Sequence, residues 1–373
     1  MPAMRATRAH GCRVARAAPS ARHDQHRQDS VALQFGLDTF GDVTEQDGQP
    51  VSHAQVIRDV IAEGVLADQL GIDFFGVGEH HREDYAVSAP DIVLAAIAGQ
   101  TSRIRLGSAV TVLSSEEPVR VFQRFSTLDA ASRGRAEIIL GRGSFTESFP
   151  LFGYELDQYE TLFEEKLDLF AALRKGGPVT WQGSTRAPLH QQSVFPPTEA
   201  PLATWIAVGG SPQSVVRAAR YGLPVMLAVI GGAPGRFKPY VELFHRALGE
   251  FGQPRLPVGI HSPGHVAETD AQAREEFYAP FKTNRDRIGR ERGWPPMQRA
   301  EFDREVETGS LYVGSPETVA TRIAHTIRTL GVARFQFKYS AGPLPHATMM
   351  NSIALYGTRV IPRVREILDG YAG

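Results

Sequence analysis

The sequence predicts an α/β fold, a (β/α)8 TIM barrel with an insertion after its seventh strand, on three observations. Eight short apolar, β-branched runs recur along the chain, segments of helical period separate them, and the runs are apolar almost throughout instead of alternating. A strand apolar on both sides is covered on both faces, as in a parallel sheet flanked by helices. In chain order the runs are 32–37, 74–78, 104–113, 136–140, 205–208, 224–230, 256–260 and 334–338. After the first run, Val56, Ile57, Val60, Ile61, Val65, Leu66 and Leu70 share one helical face, and Gly71 stands where that helix should end. Other helices open at capping residues: Ser52, Ser88 ahead of Ala89-Pro90, Ser211-Pro212 and Ser315-Pro316. A doubly wound open sheet is the alternative that the same element order permits. The polar stretch 267–310, rich in Arg and Glu, follows the seventh run, which in a barrel places it at the catalytic rim.

Composition narrows the function classes. The 373 residues are 42% hydrophobic and 22% charged, and no apolar run approaches the roughly 18 residues a membrane span needs. Forty Lys and Arg against 41 Asp and Glu leave a net charge of -1, so the basic footprint of a nucleic-acid binder is missing. The single cysteine, Cys12, excludes an internal disulfide framework and a thiolate zinc site, and fits a reducing, cytoplasmic setting. Residues 1–30 hold six arginines, two aspartates and no Leu, Ile, Phe, Tyr or Trp, which predicts a disordered N-terminal tail ahead of a barrel domain at 31–373.

In such barrels the chemistry sits at the C-terminal ends of strands. Five segments there stand out. The second run ends in Glu79-His80-His81; neighbouring residues of a strand face opposite ways, so one histidine enters the mouth and joint metal ligation is awkward. No metal site is expected, and His80 is either a catalytic, substrate-orienting group or a structural histidine. The third run, 106–113, carries small residues that admit either a flat ligand or close barrel packing. Gly141-Arg142-Gly143 closes the fourth run with a guanidinium suited to a phosphate or to a rim carboxylate. Gly209-Gly210-Ser211 and Ser214 open a helix after the fifth run, either as a phosphate cradle at the positive dipole end or as a plain cap. The acidic-aromatic stretch 147–165, with Phe149, Tyr159 and Phe163, either lines an apolar pocket or buries its rings against the barrel or a second subunit. Two phosphate grips beside a smooth strand and a histidine suggest a phosphorylated flat cofactor such as FMN. No nicotinamide fingerprint competes.

These residues resemble the bacterial-luciferase-like superfamily of flavin-dependent monooxygenases. The likeness runs from about Leu33 to the C-terminal helix and is most specific at Glu79-His80-His81, at 106–113 with Pro118-Val119-Arg120, from Leu128-Asp129 to Gly141-Arg142-Gly143, and at Gly209-Gly210-Ser211 with Tyr221-Gly222-Leu223-Pro224. The resemblance implies reduced FMN, supplied by a transient flavin reductase, and O2 acting on a small apolar organic substrate in a homodimer. It implies a non-prolyl cis peptide at Ala109-Val110 beneath the flavin ring. Phosphate would be held by Arg142 and Gly143 with Gly209, Gly210, Ser211 and Ser214, and His80 would handle protons. Phe40, Tyr85, Phe145 and Phe149 would line the substrate pocket. Luciferase catalytic subunits carry a cysteine where Gly141 stands and a charged residue where Gly210 stands, so aldehyde oxidation with light emission is not implied. Other branches bind a deazaflavin coenzyme and transfer hydride, and a non-catalytic flavin-binding protein on the same barrel is a further alternative.

Overall fold

The computed structural model describes residues 32–370, so the 1–30 tail and Cys12 lie outside the described residues. Eight strands, β1 (Gln34–Thr39), β2 (Phe74–Val77), β3 (Arg105–Val112), β4 (Ala136–Gly141), β5 (Ala203–Val208), β6 (Val225–Ala228), β7 (Val258–Val266) and β8 (Arg334–Lys338), pair in parallel. Each pairs with its neighbour in sequence, and β8 with both β1 and β7, so the sheet closes into the expected (β/α)8 barrel. Helices α1 (His53–Gln69), α2 (Pro90–Ala98), α3 (Pro118–Ser132), α4 (Tyr159–Arg174), α5 (Pro212–Arg220) and α6 (Lys238–Glu250) follow the first six strands.

The period-2 geometry of a strand sorts the buried residues into two cores. Phe35, Leu37, Phe75, Val77, Ile138, Leu140, Val225 and Leu227 point outward into the shell between sheet and helices. Phe74, Ala109, Ile139, Trp205 and Met226 point inward and fill the barrel. Close packing there answers for one of the small residues of the third strand. A methyl group at Gly107 would stand 2.7 Å from Phe74 Cε2 and 2.8 Å from the Glu137 carbonyl. Below this layer, at the N-terminal ends of the strands, Arg334 ion-pairs with Glu137, its guanidinium donates to Gln34 Oε1, and it covers the rings of Phe74 and Trp205 at 4.9 and 4.3 Å. Both charged residues are 2% exposed, so the ion pair is buried in the floor of the barrel.

The 267–310 stretch is helical: α7 (Asp270–Arg292) ends at Gly293, whose φ of +69° suits the left-handed cap, and α8 (Arg299–Glu307) follows. A short strand, Tyr312–Gly314, then pairs with the end of β7 before α9 (Pro316–Leu330), and α10 (His346–Leu355) and α11 (Ile361–Asp369) close the chain. Ser52, Ser211 and Ser315 cap their helices, each accepting a backbone N–H of the first turn. Ser88 does not: the cap position of α2 falls on Ala89, whose methyl side chain cannot accept a hydrogen bond, ahead of Pro90 at the first helical position.

Candidate active site at the barrel mouth

Beyond β2 the chain turns through Gly78, where a methyl group would collide with Phe40 and stand 2.9 Å from the Ala109 carbonyl. The next residue, Glu79, is buried and anchors the loop to β3. Its Oε2 accepts from Val112 N at 3.0 Å, its own N–H donates to Val110 O at 3.2 Å, and its Oε1 lies 3.0 Å from His81 Nε2. That bond to Glu79 raises the His81 pKa against the opposing effect of burial. The peptide between Ala109 and Val110 is cis, and the register of β3 against β4 shifts between Ala109 and Thr111.

His80 stands apart from its neighbour, in an aromatic box. Its ring packs 4.8 Å from Phe40, 4.4 Å from Tyr85 and 4.9 Å from Phe145, with Nδ1 3.7 Å from Glu147 Oε1. Burial pushes the Glu147 carboxyl up, but the His80 contact and nearby positive charge outweigh it and hold the group below its ordinary value. Burial also raises the Tyr85 phenol, whose hydroxyl donates to Asn284 of α7 at 3.2 Å. Three of the four aromatic candidates, Phe40, Tyr85 and Phe145, thus gather around His80. The fourth, Phe149, is fully buried and stacks on Tyr159 at 5.5 Å, while Phe163 and Phe170 of α4 enter the outer core. A short helix, Ser148–Leu151, turns Phe149 inward.

The second group of candidates collects at the start of α5. Nothing stands within 4 Å of a methyl group placed at Gly209, and Gly210 has φ +109°, where only glycine is unstrained. Ser211 accepts from Ser214 N, and the Ser214 hydroxyl, in the first turn of the helix, is buried with no hydrogen-bond partner. Arg142 leaves the end of β4, lies over the Tyr159 ring and ion-pairs with Glu160. Glu160 also bonds Arg217 of α5 at 3.1 Å, so Arg142 is tied through this rim carboxylate to the helix that Ser211 opens. Tyr159 donates to the Gly143 carbonyl at 2.6 Å and fixes the turn after Arg142.

Two polar residues escaped the sequence reading. Asp38, near the end of β1, is fully buried, and its Oδ2 lies 2.8 Å from Nδ1 of His261 on β7. The His261 ring stacks on Phe40 at 6.2 Å and 17°, and Phe40 in turn meets His80 at 4.8 Å. The signal was hidden because the seventh run was ended at Ile260; Pro263 and Gly264 look like a break, yet β7 continues through them to Val266.

Helix α7 lies across the loops that form the box. Arg82 ion-pairs with Glu291, Arg287 with Asp84 at 3.0 Å, and Arg292 donates to the Ser144 carbonyl at 3.0 Å. Among the described residues no cluster of three or more His, Cys, Asp or Glu is placed to hold a metal ion. Nor is any described helix long and apolar enough to cross a membrane.

A closed parallel barrel with a histidine-bearing aromatic mouth and a glycine-rich helix start at its strand ends defines the class of (β/α)8 barrel proteins whose sites lie at that rim. Within that class, the chain belongs to the luciferase-like monooxygenase family, whose sequence model matches residues 35–334. It is 27% identical over 346 residues to the uncharacterized protein y4vJ of Sinorhizobium fredii, covering 87% of this chain and 96% of that one. With the alkanal monooxygenase alpha chain of Photobacterium leiognathi it shares 26% over 344 residues, 84% of this chain and 95% of that one. Among solved structures, the oxygenating constituent of 3,6-diketocamphane monooxygenase from Pseudomonas putida, in complex with FMN, superposes with a TM-score of 0.74 at 20% identity, covering 89% of this chain and 99% of that chain. The coenzyme F420 dependent tetrahydromethanopterin reductase of Methanopyrus kandleri gives 0.64 at 18%, with 89% and 99% covered. At these identities the two structures establish the fold alone.

Proposed function

We propose that this protein is a flavin-dependent monooxygenase that uses reduced FMN and O2 to oxygenate a small apolar organic substrate. The observation that carries the reading is the anion cradle and the apolar box on one rim, joined by the short turn from Arg142 to Phe145. The cradle fits a phosphate: an open glycine, a left-handed glycine and a buried, unpartnered Ser214 hydroxyl meet at a helix N-terminus, and Arg142 is linked to the same helix through Glu160 and Arg217. Arg142 and Gly143 with Gly209, Gly210, Ser211 and Ser214 would hold the phosphate, and Ala109 and Val110 would support the ring. Bound reduced FMN would supply the electrons that activate O2. His80 would hold or deliver a proton in the box, steadied by Glu147, while Phe40, Tyr85 and Phe145 exclude water under α7.

In this reading the enzyme is a cytoplasmic homodimer and receives reduced FMN from a separate flavin reductase, since the chain carries no nicotinamide fingerprint. The test is anaerobic mixing with reduced FMN, then an oxygen pulse while flavin absorbance is recorded. Tight binding and a delayed return of oxidised flavin, shortened by a productive substrate, are expected. Return at the protein-free rate would reject the reading. Binding of a reduced deazaflavin in preference to FMN, without oxygen uptake, would assign the barrel to hydride transfer, and FMN binding without oxygen-dependent product would make it a flavin-binding protein.

A further inference from the structure

The mouth contains a second imidazole that the flavin and His80 assignments do not use. His261 is fixed through Nδ1 by Asp38, a residue with no solvent exposure, at 2.8 Å. A carboxylate only accepts, so Nδ1 carries the proton in this contact and the neutral ring leaves Nε2 as an acceptor. Nε2 makes no hydrogen bond within the described residues and is not among their enclosed unpartnered atoms, so it meets the solvent of the mouth. The face of the same ring lies against Phe40, the edge of which meets His80. Two further polar atoms in this part of the barrel lack partners: Asp38 Oδ1 and Nε2 of Gln336, the residue in register with His261. Enclosing such groups without bonds is costly, and a polar ligand atom that reached them would relieve that cost. The cation on the Phe40 ring is fully committed: Lys338 donates to Asp42, to Ser340 O and to Ser340 Oγ.

We propose that His261, oriented by Asp38, is a general base in the mouth, and that the substrate is amphipathic: an aromatic or apolar body for the Phe40, Tyr85 and Phe145 box with a hydroxyl, phenolic or enolic, directed at His261 Nε2. The substrate O–H bond breaks, the N–H bond forms at Nε2, and the electron pair stays on oxygen. The resulting imidazolium is balanced by the Asp38 carboxylate, as in carboxylate-oriented histidines generally. An oxygen anion conjugated to a ring or double bond makes the adjacent carbon electron-rich, which is the state an electrophilic oxygen donor attacks. This deepens the monooxygenase reading and rests on it for the reaction, though not for the binding.

The probe is 4-nitrophenol, whose phenolate is yellow and whose phenol is not, mixed with the flavin-free protein at a pH where the free probe is mostly phenol. A saturable yellow complex is expected with the wild type. His261→Gln, which retains a polar group but takes no proton, should bind the probe within a few-fold by equilibrium dialysis while the yellow fraction falls about tenfold or more. Asp38→Asn should lose most of the colour as well. Nitrogen NMR of the wild-type protein, with the His261 signal assigned by its loss in His261→Gln, should find the Nδ1–H tautomer. Colourless binding to the wild type, no saturable binding, an unchanged yellow fraction in the variants, or the Nε2–H tautomer would each overturn the proposal. Because no flavin is present, a failed FMN titration and a failed probe titration are separate results.

Discussion

Arg142 and Glu160 form an exchangeable pair: Glu160 is 57% exposed at its side chain and also shared with Arg217, so an incoming phosphate can replace it at Arg142 with little loss. A charge-assisted hydrogen bond is worth about 1.5–3 kcal/mol. Arg142→Ala should therefore raise the FMN dissociation constant roughly tenfold to a hundredfold and leave riboflavin within about twofold, as fluorescence titration would report. Equal losses for both ligands would remove the phosphate from Arg142. His80 is a different case, because its contacts are with Phe40, Tyr85, Phe145 and Glu147. His80→Ala should lower kcat by about 10²–10⁴-fold while FMN affinity stays within a few-fold, and unchanged single-turnover rates would take His80 out of the reaction. At this scale the sequence showed His80, Arg142 and the Gly209 to Ser214 turn as strand-end residues, but not the direction of a side chain. Phe149 carries the same chemistry as Phe145 and differs only in that a one-turn helix swings it against Tyr159.

Elements were legible where burial on both faces made a run apolar, and all eight barrel strands lie on such runs. What escaped was polar or irregular: the end of β7, which carries His261, and the short strands at Glu45–Gln46, Val179–Trp181 and Leu189–Gln192, too brief or too exposed to show a period. The insertion was visible as a polar stretch, and its helical form follows from the Arg and Glu residues that now tie α7 to the rim. Another inter-element tie predicts a pH effect. Glu63 of α1, 1% exposed at its side chain, accepts from the Tyr339 hydroxyl at 2.5 Å and lies 3.0 Å from His346 Nδ1 at the start of α10. That bond to Glu63 raises the His346 pKa despite partial burial. A group raised on folding contributes fully below its unfolded value, about 6.5, and the contribution is lost as pH rises through the folded one. Hydrogen exchange of α10 should thus show greater protection at about pH 6 than at about pH 8 once intrinsic rates are corrected, and His346→Asn should abolish the difference. An equal difference in the variant would refute the assignment.

The whole molecule depends on two cores divided by one sheet, and the inner core ends in a buried ion pair. Removing one member of such a pair leaves the other charge uncompensated and costs about 3–5 kcal/mol, whereas replacing both with apolar groups is often neutral. Glu137→Leu should lower the urea unfolding free energy by that amount, and adding Arg334→Met should recover most of it. A loss under about 1 kcal/mol would show that Gln34, which accepts from the same guanidinium, suffices alone. The filled interior has a kinetic consequence as well. Among the described residues the barrel interior below the mouth is filled by buried side chains, so whatever is consumed and whatever is made share the rim that α7 crosses. Product that lingers there bars the next arrival, and the enzyme's product should act as a competitive inhibitor of its own substrate.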